Sequence, residues 1–549
     1  MEDMPEGETG TKRARYNRLT TFRDPYLQRA RSCSVLTIPS LIPPEGSSGS
    51  TVLPTPFQSL GARGVNNLAS KLLITLLPPN APFFKLVVDD FLLQELTGEE
   101  GLRGEVEETF NSMERSVMTE IETSAIRPAV FESLKHLLVA GNVATYLNPK
   151  GGMKIFPLGR YVARRDPMGE LLELITEEHV SISDLPEEIQ GEVTGEAGSS
   201  VTENGEKIIC LYTCVKLVDN KWYVSQEAGG ILVPESEGEY PKDKSPFSVL
   251  RFTGISGEDY GRGYVEEYKG DIQSLEYLTK AIVQGSAAAA KVLFMLRPSA
   301  VTEAADITES ESGDIIVGNA DDVSVLQLQK QADFQVAAQT IQRLEQALGL
   351  AFLMNTSIQR NGERVTAEEI RFMANELENA LGGIYSSLSQ EFQLPLVTVL
   401  MSRMEKQKKL PVLPKGMVRP QVTTGVDAIG RGQDSEKLRS WMEDISVLGP
   451  EVVAESIIAS DYIKRSGVAR GIDMKGLVKS PEDLQAEQQA AQQQQQQQMM
   501  VEKLGPNAVT QMGGIAKQAG EAEQGGDVPS EVSSGVPPEP TAEQLPEEV

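Results

Sequence analysis

Histidine is almost absent: His136 and His179 are the only two in 549 residues. A metal site built on several histidines, the H-E-x-x-H pattern included, therefore cannot be assembled from one chain. A Ser/His/Asp triad would have to use one of the two, and the sequence contains no G-x-S-x-G elbow. It also has no G-x-x-x-x-G-K-[ST] loop to cradle a nucleotide. Three cysteines (Cys33, Cys210 and Cys214) give no disulfide framework. No uninterrupted apolar run approaches the roughly 18 residues of a spanning helix, so none is expected. Met1 to Glu6 lacks the basic-then-apolar pattern of a signal peptide, which leads us to expect a protein made and kept in a cytoplasm. The expectation is no catalytic residue, no metal and no cofactor.

The 40% of apolar residues are enough to bury real cores. The length suggests two to four domains if a domain runs roughly 100–200 residues. Lys and Arg number 51 against 79 Asp and Glu, a net charge of −28. Residues 481–549 hold twelve acids against Lys503 and Lys517, which leaves −18 on the rest. The body itself is acidic, and such a surface repels nucleic acid.

Residues 1–57 read as a leader, locally basic through Arg13, Arg15, Arg18, Arg23, Arg29 and Arg31, then rich in Pro, Gly and Ser. Helical spacing follows over 58–77 (Leu68, Leu72, Leu76), 104–123 and 128–140 (Phe131, Leu134, Leu138). From 153 to 253 the period becomes strand-like, with a hairpin predicted around Asp219-Asn220. Two helices, 264–293 and 333–354, then bracket short apolar runs at Ile315-Ile316-Val317 and Val323 to Leu326. A polar break over 355–365 leads to a capped helix from Thr366, which Gly382-Gly383 and Pro395 should kink. Residues 410–430 read as a Pro/Gly-rich connection and 434–479 as helix. Beyond Pro481 the run Gln492 to Gln498 and a Pro/Gly/Glu-rich end read as a disordered tail.

Single motifs carry little chemistry. Gly61 and Gly64 favour close backbone packing over a phosphate loop, and Gly257 to Gly263 favours a turn entering a helix over a dinucleotide loop. Cys210 and Cys214 share a strand face, but without a second Cys/His pair they read as core thiols. His136, on an apolar helix, reads as a satisfied core partner.

Several long strings in fixed order carry more. They are GARGVNNLASK at 61–71, LVAGNV at 138–143, YGRGYVEEY at 260–268, QLQKQADF at 327–334, GERVTAEEIR at 362–371 and AIGRGQD at 428–434. Together they resemble the portal, or head-to-tail connector, proteins of short-tailed bacteriophages of the autographivirus kind, over roughly residues 13–479. The resemblance implies an α+β phage portal fold: a wing of helices and strands (58–261), stem helices (262–293 and 330–354) and a small β-containing clip (294–329). A tunnel loop (355–366), a long kinked wing helix (367–409), a helical crown (410–480) and a disordered tail (481–549) complete it.

The function implied is that of a non-enzymatic portal at one capsid vertex, assembled in the host cytoplasm and carried in the virion. It would form a ring of twelve, nucleate the procapsid and pass double-stranded DNA non-specifically. Its partners would be the terminase packaging motor, a tail adaptor, scaffolding and major capsid proteins, and internal core proteins. An acidic lumen suits a conduit, because 6–10 basic phosphate contacts change affinity by about 10³–10⁵ over a modest salt range. By the resemblance, Arg360, Arg364 and Arg371 face the channel at the loop, with pairing to nearby carboxylates the competing account. Ile315, Ile316, Val317, Asn319, Asp321 and Asp322 are the clip's docking candidates. The alternative is another virion assembly or scaffold protein without a through-channel.

Overall fold

A computed structural model describes residues 11–79, 82–88, 102–193, 200–201, 207–289, 293–301, 303–326, 331–354, 376–411 except 378, 418–422, 430–447 and 449, with isolated residues between 457 and 467. The tail expected from 481 onward lies outside them.

The expected leader is instead a structural helix, α1 (Lys12–Leu36), 25 residues long and opened by the Thr11 side chain, which accepts from the Ala14 N–H. Tyr16, Leu19, Arg23, Leu27, Ala30 and Cys33 recur every three or four residues and are buried. Its arginines strut it to an acidic body: Arg15 pairs with Glu173 at 2.7 Å and Arg29 with Glu266 at 3.2 Å. Buried Arg23 donates to the Gly159 carbonyl and the Tyr16 hydroxyl, each at 3.1 Å.

Helix α2 (Leu60–Leu76) buries Leu68, Leu72 and Leu76 as its spacing predicts. Close packing explains its glycines. A Cβ on Gly61 would lie 2.8 Å from the Leu36 carbonyl oxygen, and one on Gly64 would lie 2.6 Å from the Phe352 ring. Strand β1 (Phe84–Val88), α3 (Leu102–Thr123) and α4 (Ile126–Ala140) follow. Gly141 ends α4 with φ +72, and a Cβ there would meet the Arg262 backbone at 2.3 Å.

Strands β2 (Asn142–Leu147), β3 (Met153–Pro157), β4 (Tyr161–Arg165) and β5 (Leu171–Ser181) precede α5 (Glu187–Val193). Then come β6 (Ser200–Val201), β7 (Lys207–Val218), β8 (Lys221–Ala228), β9 (Ile231–Leu232), β10 (Gly238–Pro241) and β11 (Phe247–Arg251). One antiparallel sheet runs β10-β8-β7-β5-β4, with β6 and β9 on its flanks, and a second runs β11-β2-β3. The predicted hairpin joins β7 to β8, with positive φ at both Asp219 and Asn220, as a two-residue turn of this hand requires.

The expected helix over 264–293 is two helices, α6 (Tyr264–Glu267) and α7 (Lys269–Ala289), and Leu293 begins strand β12 (Leu293–Leu296). A short α8 (Ala304–Glu309), β13 (Val323–Leu326) and α9 (Gln331–Ala351) complete the middle of the chain.

The expected long kinked helix is interrupted rather than bent. Gly382 turns at φ +54, α10 (Gly383–Leu388) follows, a π-helical turn spans Ser389–Gln393, and α11 (Leu394–Lys406) resumes. Pro395 offers no N–H to the preceding turn and crowds its carbonyls, which the wider π turn accommodates. The expected connection near 410–430 contains strand β14 (Val418–Val422), paired antiparallel with β1. Helix α12 (Gly430–Ser446) is the described part of the predicted C-terminal helix.

Buried His136 sits on α4, as a core residue, and its Nδ1 meets no hydrogen-bond partner among the described residues. Burial pushes its imidazole down to about 4.

Candidate functional site: the paired helices and their tip

Two of the sequence strings meet at the base of this region. Asn142, in LVAGNV, donates from Nδ2 to the Ala140 and Gly261 carbonyls, both at 2.9 Å, and accepts the Gly261 N–H at 2.7 Å. Thr253 and Arg262 exchange backbone hydrogen bonds alongside. A Cβ on Gly263 would lie 2.7 Å from the Val139 carbonyl oxygen, so YGRGY lies directly against the helix end.

From this seam α6 and α7 lead outward, and α9 leads back. Near the base Tyr264 donates to the Ala351 carbonyl at 2.8 Å and meets the Phe352 ring edge-on at 5.6 Å. Farther out a Cβ on Gly285 would lie 2.8 Å from Phe334. The helices are therefore antiparallel, with Gly285 leaving room for a ring. Lys71 of α2 donates to the Leu353 carbonyl at 2.9 Å and pairs with Glu376 at 3.0 Å, which ties the return to the body.

Burial falls steadily with distance from the base. Ile272, Leu275 and Leu348 are buried, whereas Leu278, Ile282, Ile341 and Leu344 are half-buried. A helix pair can bury only its mutual seam, so the outer faces stay open. Tyr277 (61% exposed) and Val336 (66%) stand on them.

At the far end β12 and β13 form a two-stranded antiparallel ladder from Leu293↔Leu326 to Leu296↔Val323. The expected strand-like run at 315–317 forms no strand. Ile315 is 98% and Val317 85% exposed, Ile316 is open to solvent with them, and Asn319 and Asp321 are exposed too. Asp322 departs from the docking expectation because it is buried. Its Oδ2 accepts the Val301 N–H at 3.0 Å and its carbonyl accepts the Arg297 N–H at 3.1 Å, so it staples the tip. Asn319 braces the same turn by accepting the Asp321 N–H at 3.2 Å. Around it Glu303, Glu309, Glu311, Asp314 and Asp321 make the tip acidic as well as apolar. Arg360, Arg364 and Arg371 lie outside the described residues, as does all of 355–375.

The body nearby is braced by ion pairs that local spacing could not reveal. Glu120 of α3 binds Arg403 of α11 and Lys409, each at 2.8 Å. The Lys409 hydrogen bond, joined by Ser124 and Arg403, holds the Glu120 carboxyl below its ordinary range.

Residues 9–478 match the family described as Bacteriophage head to tail connecting protein. The chain is 40% identical over 485 residues to the portal protein of Escherichia phage T7, covering 87% of this chain and 90% of that one. It is 40% identical over 486 residues to the portal protein of Enterobacteria phage T3, with the same coverage. The portal protein of Enterobacteria phage SP6 matches at 30% over 482 residues, covering 86% of this chain and 90% of that one.

Proposed function

The chain belongs to the bacteriophage head to tail connecting protein family and functions as a phage portal; from that premise we propose how its parts divide the work. It assembles as a ring, of twelve subunits by the family resemblance, at one vertex of the capsid. It acts as conduit and platform rather than enzyme. The observation that carries ring assembly is the open outer faces of α7 and α9. Apolar residues such as Tyr277, Val283 and Val336 are exposed in one chain and would be covered by neighbouring copies.

In this reading the tip offers Ile315, Ile316 and Val317, rimmed by acidic residues, first to the terminase motor and later to a tail adaptor. Asp322 keeps that surface in shape instead of touching the partner. Arg360, Arg364 and Arg371, repeated around the ring, grip phosphates briefly in an otherwise acidic bore and resist backsliding. Scaffolding, major capsid and internal core proteins contact the wing and crown. Negative-stain imaging of the purified full chain tests the ring. Rings with a central hole are expected, and monomers or particles without a through-hole would overturn the reading.

A further inference from the structure

We propose that Glu177, His179 and Cys210 form a binding site for one divalent transition-metal ion, with zinc the best match. Glu177 and His179 are two apart on β5 and so point from the same sheet face, and His179 stands directly opposite Cys210 in the β5–β7 register. One ligand atom from each lies within 4.8 Å of the other two. Zinc–ligand bonds of about 2.0–2.3 Å place tetrahedral donors roughly 3.5 Å apart. Closing the site therefore takes about 1 Å of side-chain adjustment and leaves the strands where they are.

The donor set selects the ion class. A thiolate and an imidazole disfavour magnesium and calcium, which prefer oxygen-only shells, and suit zinc or its neighbours. Thiolate plus carboxylate balance a divalent charge, and His179, exposed at the rim, leaves the fourth position open to water.

The surroundings hold the carboxylate ready. Tyr212 donates to Glu177 Oε1 at 3.0 Å and Tyr16 donates to Oε2 at 3.2 Å, so each oxygen keeps a lone pair for a metal. Arg23 in turn holds the Tyr16 hydroxyl. Arg160 makes a 3.0 Å contact with His179 Nε2, and its guanidinium must swing aside if that nitrogen is the donor used. A bound ion would join β5 to β7 beside the first turns of α1. The sequence hides the site because Cys210 finds its partners across strands and not in Cys214.

The test uses the purified full chain, stripped with a chelator, equilibrated with micromolar zinc, desalted and assayed for metal per chain. Cobalt is substituted in parallel to look for thiolate-to-metal charge-transfer absorption. One zinc per chain is expected in the wild type and in Cys214→Ser. Stoichiometric binding should be lost in Cys210→Ser and also in His179→Gln, whose exposed position spares folding. Tyr212→Phe should weaken affinity about tenfold. The proposal is overturned if the wild type retains no stoichiometric zinc, if both ligand variants retain it, if Cys214→Ser loses it, or if cobalt shows no thiolate band.

Discussion

The body around α2, α4, β2 and β11 and the paired helices α7 and α9 are made from similar residues used in opposite ways. In the body, apolar side chains from α2, α4, β2 and β11 close one shared core, and charges such as Glu120–Arg403 and Arg15–Glu173 are turned inward as braces. Beyond their base, where Glu276 of α7 still accepts the Phe57 and Gln58 N–H groups, α7 and α9 pack chiefly against each other, and the tip displays isoleucine and valine to solvent. A region that satisfies itself specifies the monomer. A region left open specifies what the monomer must meet.

That contrast can be broken most sharply at Gly141. Gly141→Ala places a methyl against the Arg262 backbone at a positive φ and should cost about 3–5 kcal/mol, read as a lower denaturation midpoint. A loss under 1 kcal/mol would mean the seam is looser than described.

Glu120→Gln leaves Arg403 buried without its carboxylate and should cost about 2–3 kcal/mol in the same assay. The carboxyl titrates lower when folded than unfolded, so its contribution is present above the ordinary carboxylate range. It fades as pH falls through the folded value. The variant should therefore be flatter with acid than the wild type.

His136 sharpens the body side of the comparison. Its folded value of about 4 lies below the ordinary 6.5, so protonation favours the unfolded chain. Stability should fall as pH drops from about 6.5 towards 4, and His136→Leu should remove that part of the slope. An unchanged pH profile would refute the buried-neutral assignment.

The smallest stability effects belong to the tip of the helix pair. Ile315→Ser with Val317→Ser should shift unfolding by no more than about 0.5 kcal/mol, yet sharply reduce DNA packaging in an in vitro assay. Normal packaging would remove the tip as a docking surface. Truncation after Ser480 should change neither unfolding nor ring formation, and a truncated chain that stays monomeric would make the tail structural.

Legibility in the sequence follows the same divide. Local rules found the hairpin at Asp219-Asn220, the α2 stripe and the close approaches of Gly61 and Gly64. They missed α1, because Tyr16, Arg23, Ala30 and Cys33 break up the Leu19 and Leu27 stripe on its buried face. Nothing local could pair β1 with β14, whose partners Phe84 and Val422 are far apart in sequence. The burial of Asp322 was not legible because an aspartate beside exposed residues reads as surface until its backbone partners are known. The resemblance over 13–479 agrees with the matched residues 9–478, since collinear strings survive even where propensity misleads.

The Gly141–Gly263 seam also has a mechanical meaning. Asn142 reaches Gly261 twice, Phe252 donates to the Gly141 carbonyl, and Thr253 and Arg262 pair next to them. Two of these bonds run through the short Asn142 side-chain amide and the others join backbone to backbone, so only a short lever lies between the segments. A pull or twist on the helix pair would load them side by side, so they would have to yield together. The joint is built as a rivet and not as a hinge, and a load applied along α7 would reach the body with little lost to bending.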